Sequence, residues 1–450
     1  RNEASDMIRD NLHLKAPGNW INDPNGFIYY KGEYHLFYQY FPYGTRWGTM
    51  HWGHAVSKDL VHWEHLGIAV FPTKAYDRNG IFSGSALEID GKLHLYYTAV
   101  RYLESNEEDI HCSWNDCYEA SQAMITSEDG RHFDNWKDKR QIIPVITDEE
   151  KGDTKDTRDP KVWEEDGRYY MVLGSTCQKE IGRAVFFRSA DGTSWEYAGE
   201  CRTPAFGETL ECPDVFRIGD TYVFVGSPMN VTEAGIEHRH HAKCGLADLK
   251  LPECSMQLLG EFRFIDYGLD FYAPQTTLDE DGRRVMIGWI RMPEVVRDEK
   301  DKRGSWIGMM SMPRVVEVEN GHIYFRVHPH VDACYSRRCL SLDEIDMDRP
   351  FRIKAPIRDG ETLNVCGYQI TMEDGCVCTD RSSVFPELGN YRTKAQTPKT
   401  GKETCQLDIF VSPHLIEVFV NDGQYVITHV VYGLRKKLAG KIEELLVEEC

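Results

Sequence analysis

The segment KGEYHLFYQY, residues 31–40, decides the fold, because it is the first of five similar copies. The others are DGKLHLYYTAV (90–100), DGRYYMVLGS (166–175), GDTYVFVGS (219–227) and DGRRVMIGWI (281–290). Each is a glycine turn followed by a run of aromatic and aliphatic residues, a strand signature. The turn glycines are Gly32, Gly91, Gly167, Gly219 and Gly282, spaced by 59, 76, 52 and 63 residues. A second motif follows in three units: SKDLVHWE (57–64), SEDGRHFDNW (127–136) and SADGTSWEY (189–197). It reads as a later hairpin of the same unit. Five units with room for about four strands each describe a five-bladed β-propeller.

Each repeat glycine should follow the strand nearest the propeller axis. Counting back eight or nine residues gives Asp23, Ser83, Asp159, Glu211 and Pro274. Three of the five are acids, and proline lies close by at Pro24, Pro160 and Pro213. Proline at a strand start sacrifices no ladder bond and keeps the preceding residue extended. Strands arranged about one axis therefore bring Asp23, Asp159 and Glu211 to one end of one funnel. The stretch WINDPNG (Trp20 to Gly26), which alone would read as an Asp-Pro-Asn-Gly turn, then begins an inner strand at Asp23.

Two carboxyls flanking a bond are the apparatus of glycoside hydrolysis. Asp23 lies between Asn22 and Asn25, donors that favour its charged form. Asp159 follows Arg158, whose cation acts likewise. Glu211, in Thr-Leu-Glu-Cys-Pro, has the least polar neighbours, so its proton should be held more tightly. These neighbours point to Asp23 as nucleophile, Glu211 as acid/base and Asp159 with Arg158 as a grip on sugar hydroxyls. Cys212 is expected to pack as a small hydrophobe beside the acid.

At these residues the chain resembles glycoside hydrolase family 32, the β-fructofuranosidases, which include invertase, sucrose-6-phosphate hydrolase, inulinase and levanase. The resemblance rests on WINDPNG, on Arg158-Asp159-Pro160 and on Glu211-Cys212. It extends through Gln39, Phe41-Pro42, Trp47-Gly48, HWGHAVSKDLVHWE, FSGS (82–85), DFYAPQ (270–275) and Gly288-Trp289. MPRVVEV (312–318) and QLDIFVSPHLIEVFVNDG (406–423) carry it into a C-terminal region. The resemblance implies an all-β chain: a five-bladed propeller over 1–328, then a β-sandwich over 329–450. It implies a retaining mechanism in which Asp23 attacks fructose C2 and Glu211 protonates the leaving oxygen. By the same resemblance Asn22, Gln39, Trp47, Phe82, Ser83, Arg158 and Trp289 line the fructose subsite, and neither cofactor nor metal takes part.

Composition agrees with a small neutral substrate. Lys and Arg number 52 against 72 Asp and Glu, and the formal charge of −20 disfavours nucleic acid and anionic membrane surfaces as partners. Aromatics at 12% suit strands and sugar-stacking faces. Apolar runs are too short for a transmembrane helix. The N-terminus RNEASDMIRDN has no signal-peptide pattern, although Arg1 is an unusual first residue. The 14 cysteines, without CxxC pairs, read as reduced thiols and a cytoplasmic setting. The alternative is secretion with the signal removed, for which the sequon Asn230-Val231-Thr232 speaks. A monomer or homodimer is expected.

Three segments stand apart from the pattern. The charged insert 297–303 reads as a loop near the funnel mouth. HRHH, His238 to His241, reads as an exposed polar loop rather than a metal site, the alternative being a cationic cluster that meets a phosphate or carboxylate on the substrate. The tail GLRKKLAGKIEELLVEEC puts Leu434, Leu438, Ile442 and Leu445 on one helical face, so a short helix is expected there. Competing functions are sucrose-6-phosphate hydrolysis, fructosyl transfer through the same intermediate, and a non-catalytic sugar-binding propeller. The presence of all three acids opposes the last.

Overall fold

The repeat glycines lie in the turns between the first two strands of successive sheets. The computed structural model describes residues 7–233, 236–268, 270–298, 302–389 and 391–449. Lys31-Gly32, Asp90-Gly91 and Asp166-Gly167 all have φ between 48° and 81°. Two consecutive positive φ values match the right-handed twist of the flanking strands, and glycine meets them without steric penalty.

Five sheets follow one another. Their inner strands are Asn19–Tyr30, Gly80–Ile89, Arg158–Glu165, Thr209–Ile218 and Phe271–Leu278. In blade two the order outward is Gly80–Ile89, Lys92–Tyr102, Tyr118–Ser127 and Lys139–Ile143, and blade three repeats it from Arg158–Glu165 to Glu196–Arg202. This is the expected five-bladed propeller. Apolar side chains from adjacent blades fill the space between sheets, for example Tyr96, Met171, Leu173 and Val185 between blades two and three. The second motif is the third-to-fourth strand turn, built alike three times. Ser57, Ser127 and Ser189 accept an amide three residues on, while Asp59, Asp129 and Asp191 each accept two amides.

The inner strands are stitched together by buried polar groups. Ser85 donates to the Pro160 carbonyl at 2.7 Å, and Gln275 donates to the Gly84 carbonyl at 2.8 Å while accepting from the Phe27 amide. Thr276 donates its amide and hydroxyl to Asp214. Paired in this way, the groups tolerate burial at the axis, although Asp214 Oδ1 has no hydrogen-bond partner.

Four inner strands carry a β-bulge at nearly the same level: between Ile21 and Pro24, Ile81 and Gly84, Arg158 and Lys161, and Glu211 and Asp214. A bulge takes a residue out of the ladder and re-aims its side chain. Asp159, Cys212 and Ala273 adopt φ of 67°, 45° and 51°, sparsely populated values for residues with a Cβ. The ladder corrects the phase counted from the glycines. Glu211 is level with Arg158, and Cys212 with Asp159. The shift arises because Gly219 is the first residue of its turn, with Ile218 and Thr221 flanking it, whereas Gly167 is the second.

By compactness the chain divides into two units. The first comprises Arg1–Arg263, Tyr272–Gly282 and Met286–Ser311; the second comprises Phe264–Phe271, Arg283–Val285 and Met312–Cys450. The second holds a β-sandwich of one six-stranded and one five-stranded sheet, around a core that includes Ile353, Ile370, Met372, Ile409 and Val418. The tail is not helical. Leu438–Ala439 and Glu444–Val447 add as strands to the two sheets, pairing with Asn364-Val365 and with Phe351 to Lys354. Gly440, at φ 115°, interrupts any helix, and the sheet edges offer Leu445 and Leu446 a buried place that an isolated short helix lacks.

Three further expectations change. The ends of the charged insert form a hairpin of Val296–Asp298 with Gly304–Ile307, whose second strand runs parallel to Asn19 and Trp20. Arg303 is buried in an ion pair with Asp10 at 2.7 Å, so this insert end is a structural anchor; residues 299–301 lie outside the described residues. The backbone of Ile236–His240 is a strand paired with Met229 to Glu233 rather than a loop. The side chains of His238 to His240 lie outside the described residues, and His241 is buried. Among the described residues twelve cysteines are free thiols, but Cys334 is disulfide-bonded, which departs from the all-reduced expectation. Among the described residues no helix is long and apolar enough to cross a membrane.

Candidate active site

The bulged ends of the inner strands surround a cavity of about 310 Å³ in the first unit. All ten residues singled out from the sequence line it: Asn22, Asp23, Gln39, Trp47, Phe82, Ser83, Arg158, Asp159, Glu211 and Trp289. Five more line it that the sequence reading did not select: Trp20, Asp116, Tyr118, Met229 and Tyr272. Trp20 opens WINDPNG and Tyr272 lies in DFYAPQ, so a sequence signal marks both. Asp116 and Tyr118 flank the end of a blade-two connection with no repeat signal of its own.

Asp23 is oriented by three donors from three blades. The Ser83 hydroxyl donates to Oδ2 at 2.6 Å, the Asn22 amide to Oδ1 at 3.3 Å and the Cys212 thiol to Oδ2 at 3.4 Å. Trp20 Nε1 in turn donates to Asn22 Oδ1 at 2.9 Å and fixes that amide. Asn25 does not serve Asp23; its oxygen accepts from Gln39 instead. Burial and the charge of Glu211 push Asp23 up to about 6, against the pull of its donors. The expectation that neighbouring amides keep it strongly ionised is therefore corrected: desolvation outweighs them.

Asp159 receives the Cys212 amide at 2.8 Å and the Cys212 thiol at 3.4 Å. Burial raises it too, aided by the charges of Glu211 and Asp23. Cys212 is thus no passive hydrophobe. Burial and the surrounding carboxylates keep it a neutral thiol, with its one hydrogen between two acids.

Glu211 occupies the most polar of the three settings, contrary to its sequence neighbours. Tyr272 donates to Oε1 at 2.5 Å and Arg158 Nε to Oε2 at 3.1 Å. Arg158 also binds Asp156 at 2.7 Å and makes no hydrogen bond to the adjacent Asp159. Its charge still favours the ionised form of Asp159, as expected from the sequence, but burial and the charge of Glu211 oppose it.

The aromatic wall has two parts. Trp20, Trp289 and Tyr272 form one cluster, with centroids 6.0 and 6.1 Å apart. Trp47, Phe82 and Tyr118 form the other, at 5.9 and 6.1 Å. Trp289 Nε1 is buried without a hydrogen-bond partner. A small cavity with acids at the bulges and ring faces at the sides suits a polyhydroxylated, uncharged ring.

Comparison with known proteins agrees with that chemistry. Residues 13–329 match the profile described as "Glycosyl hydrolases family 32 N-terminal domain", and 351–441 match "Glycosyl hydrolases family 32 C terminal". The chain is 34% identical over 445 residues to raffinose invertase of Escherichia coli, covering 94% of this chain and 89% of that protein. It is 30% identical over 455 residues to sucrose-6-phosphate hydrolase of Bacillus subtilis, covering 94% and 89%. A solved β-fructofuranosidase of Bombyx mori superposes with a TM-score of 0.76 at 27% identity, covering 97% of this chain and 92% of that one. With both family domains matched and relatives at 30% identity or above, the chain belongs to glycosyl hydrolase family 32 and is a glycoside hydrolase.

Proposed function

We propose that this protein hydrolyses the terminal β-fructosyl bond of sucrose and short fructo-oligosaccharides with retention of configuration. The observation that carries the reading is the meeting of Asp23, Asp159 and Glu211, from three inner strands, on one small cavity. The names of the relatives (invertase, sucrose-6-phosphate hydrolase, β-fructofuranosidase) support the same substrate class.

In this reading Glu211 is held by Tyr272 and Arg158 and gives its proton to the glycosidic oxygen as the C2–O bond breaks. Asp23, aimed by Ser83, Asn22 and Cys212, forms the new bond to C2. Glu211 then takes a proton from water, the water oxygen attacks C2, and the ester to Asp23 breaks. Both carboxyls return to their starting states. Asp159 accepts hydrogen bonds from fructose hydroxyls, and nearby carboxylate charge stabilises the oxocarbenium-like ring. Asn22, Gln39, Trp47, Phe82, Ser83, Arg158 and Trp289 enclose the sugar. The scheme closes with carboxyls and water alone.

The test is product analysis on sucrose, sucrose 6-phosphate, kestose, inulin and levan, with ¹³C NMR identifying the first anomer of fructose released. β-Fructofuranose should appear first. Release of the inverted anomer, or of no fructose from any substrate, refutes the proposal.

A further inference from the structure

The outer rim of the cavity is built by two connections that the repeat does not explain. Residues 42–50 and 103–117 join the second and third strands of blades one and two. They are fixed to each other. Arg46 pairs with Asp109 at 3.0 Å, His111 Nδ1 lies 2.9 Å from the Thr49 hydroxyl, and the rings of His111 and Tyr43 stack 5.2 Å apart. Trp47 and the stretch ending at Asp116 therefore share one frame. Asn115 and Asp116 both adopt left-handed backbone, at φ 52° and 53°, unusual for two adjacent residues with side chains. That conformation brings Asp116 to the cavity lining.

Asp116 is ion-paired with Lys155, whose ammonium also lies 5.1 Å from the centre of the Tyr118 ring. The acids lining the cavity are Asp23, Asp116, Asp159 and Glu211. Among the described lining residues Arg158 is the only Lys or Arg, and Asp156 and Glu211 engage it at 2.7 and 3.1 Å. Among the described residues, a phosphate beside Asp116 would meet carboxylates and a lysine already occupied.

Resting on the β-fructosidase reading, we infer that Asp116 selects the leaving group. Its carboxylate accepts hydrogens from the hydroxyls of an uncharged sugar, repels a phosphate ester and keeps Lys155 from serving as a phosphate ligand. The Asp116 side chain is 72% exposed, so solvent screening holds the effect to about tenfold rather than thousands.

Steady-state kinetics of the full chain on sucrose and sucrose 6-phosphate test this, comparing the unsubstituted protein, Asp116→Asn, and Asp116→Asn combined with Lys155→Met. The unsubstituted protein should prefer sucrose by about tenfold in kcat/KM. Asp116→Asn should move the two KM values in opposite directions: up about threefold for sucrose, down about tenfold for the phosphate ester. Adding Lys155→Met should remove the gain on the ester. Equal handling of the two substrates by the unsubstituted protein overturns the inference. So do KM values that shift together in Asp116→Asn, as a merely structural role would produce, or that do not shift. A protein inert to both sugars and to kestose would instead bring down the β-fructosidase reading itself, and this inference with it.

Discussion

Asp23→Asn separates two consequences of one buried carboxyl. Asp23 keeps its proton up to about pH 6 in the folded protein, against an ordinary value of 3.8. Its contribution to stability is therefore full below pH 4 and is lost as pH rises through 6, where the folded state must carry a desolvated charge. Asparagine has the same shape and no charge to desolvate. About two units at 1.36 kcal/mol each predict that Asp23→Asn is more stable by about 3 kcal/mol above pH 7, and by little near pH 4. For a unit of this size that is a rise of roughly 5 °C in Tm. Thermal melts at pH 4.5, 6 and 8 measure it, and the gap should open across this range. Hydrolysis of sucrose should fall by roughly 10⁴-fold or more in the same variant. A variant that melts no higher at pH 8, or a gap that does not shrink on acidification, refutes the desolvation argument. Surviving turnover refutes the nucleophile role.

Glu211→Gln should lower kcat on sucrose by roughly 10²–10⁴-fold. It should cost much less on p-nitrophenyl β-fructofuranoside, whose leaving group departs without a proton; equal losses would count against the acid role. Ser83→Ala removes a 2.6 Å donor that helps keep Asp23 ionised. The acidic limb of the kcat/KM profile, falling through about pH 6, should move up by about one unit, and an unmoved limb would show that Asp23 does not set it. Gly174→Ala would put a Cβ 2.1 Å from the Leu210 carbonyl oxygen and 3.2 Å from the Glu211 Cα. Backbone must shift there, so kcat should fall at least about tenfold while circular dichroism still reports a folded chain.

Much of the site was legible because a propeller converts sequence phase into spatial convergence. Strand alternation and turn glycines identify the inner strands, and the acids beside Pro24, Pro160 and Pro213 then have one place to go. The one-residue error at Glu211 shows the limit of that ruler. Its origin is a turn glycine, and in blade four the glycine sits at the other turn position. The bulges, which decide where each side chain points, leave no pattern strong enough to be counted. The tail failed differently. Four apolar residues at helical spacing are real, but pairing with two sheets took Leu438 and Leu445 into strands.

The sequence by itself determined the repeat, the strand pattern and the identity of the carboxyls, because these depend on period and residue type within one segment. Only the tertiary structure decided which charge each carboxyl feels. Asp23 answers to Ser83 and Cys212, Glu211 to Tyr272 and Arg158, and the rim acid Asp116 to Lys155. The physical reason is range: desolvation and hydrogen bonding act over a few ångströms of space. Around the propeller axis those ångströms are filled by residues scores of positions away along the chain.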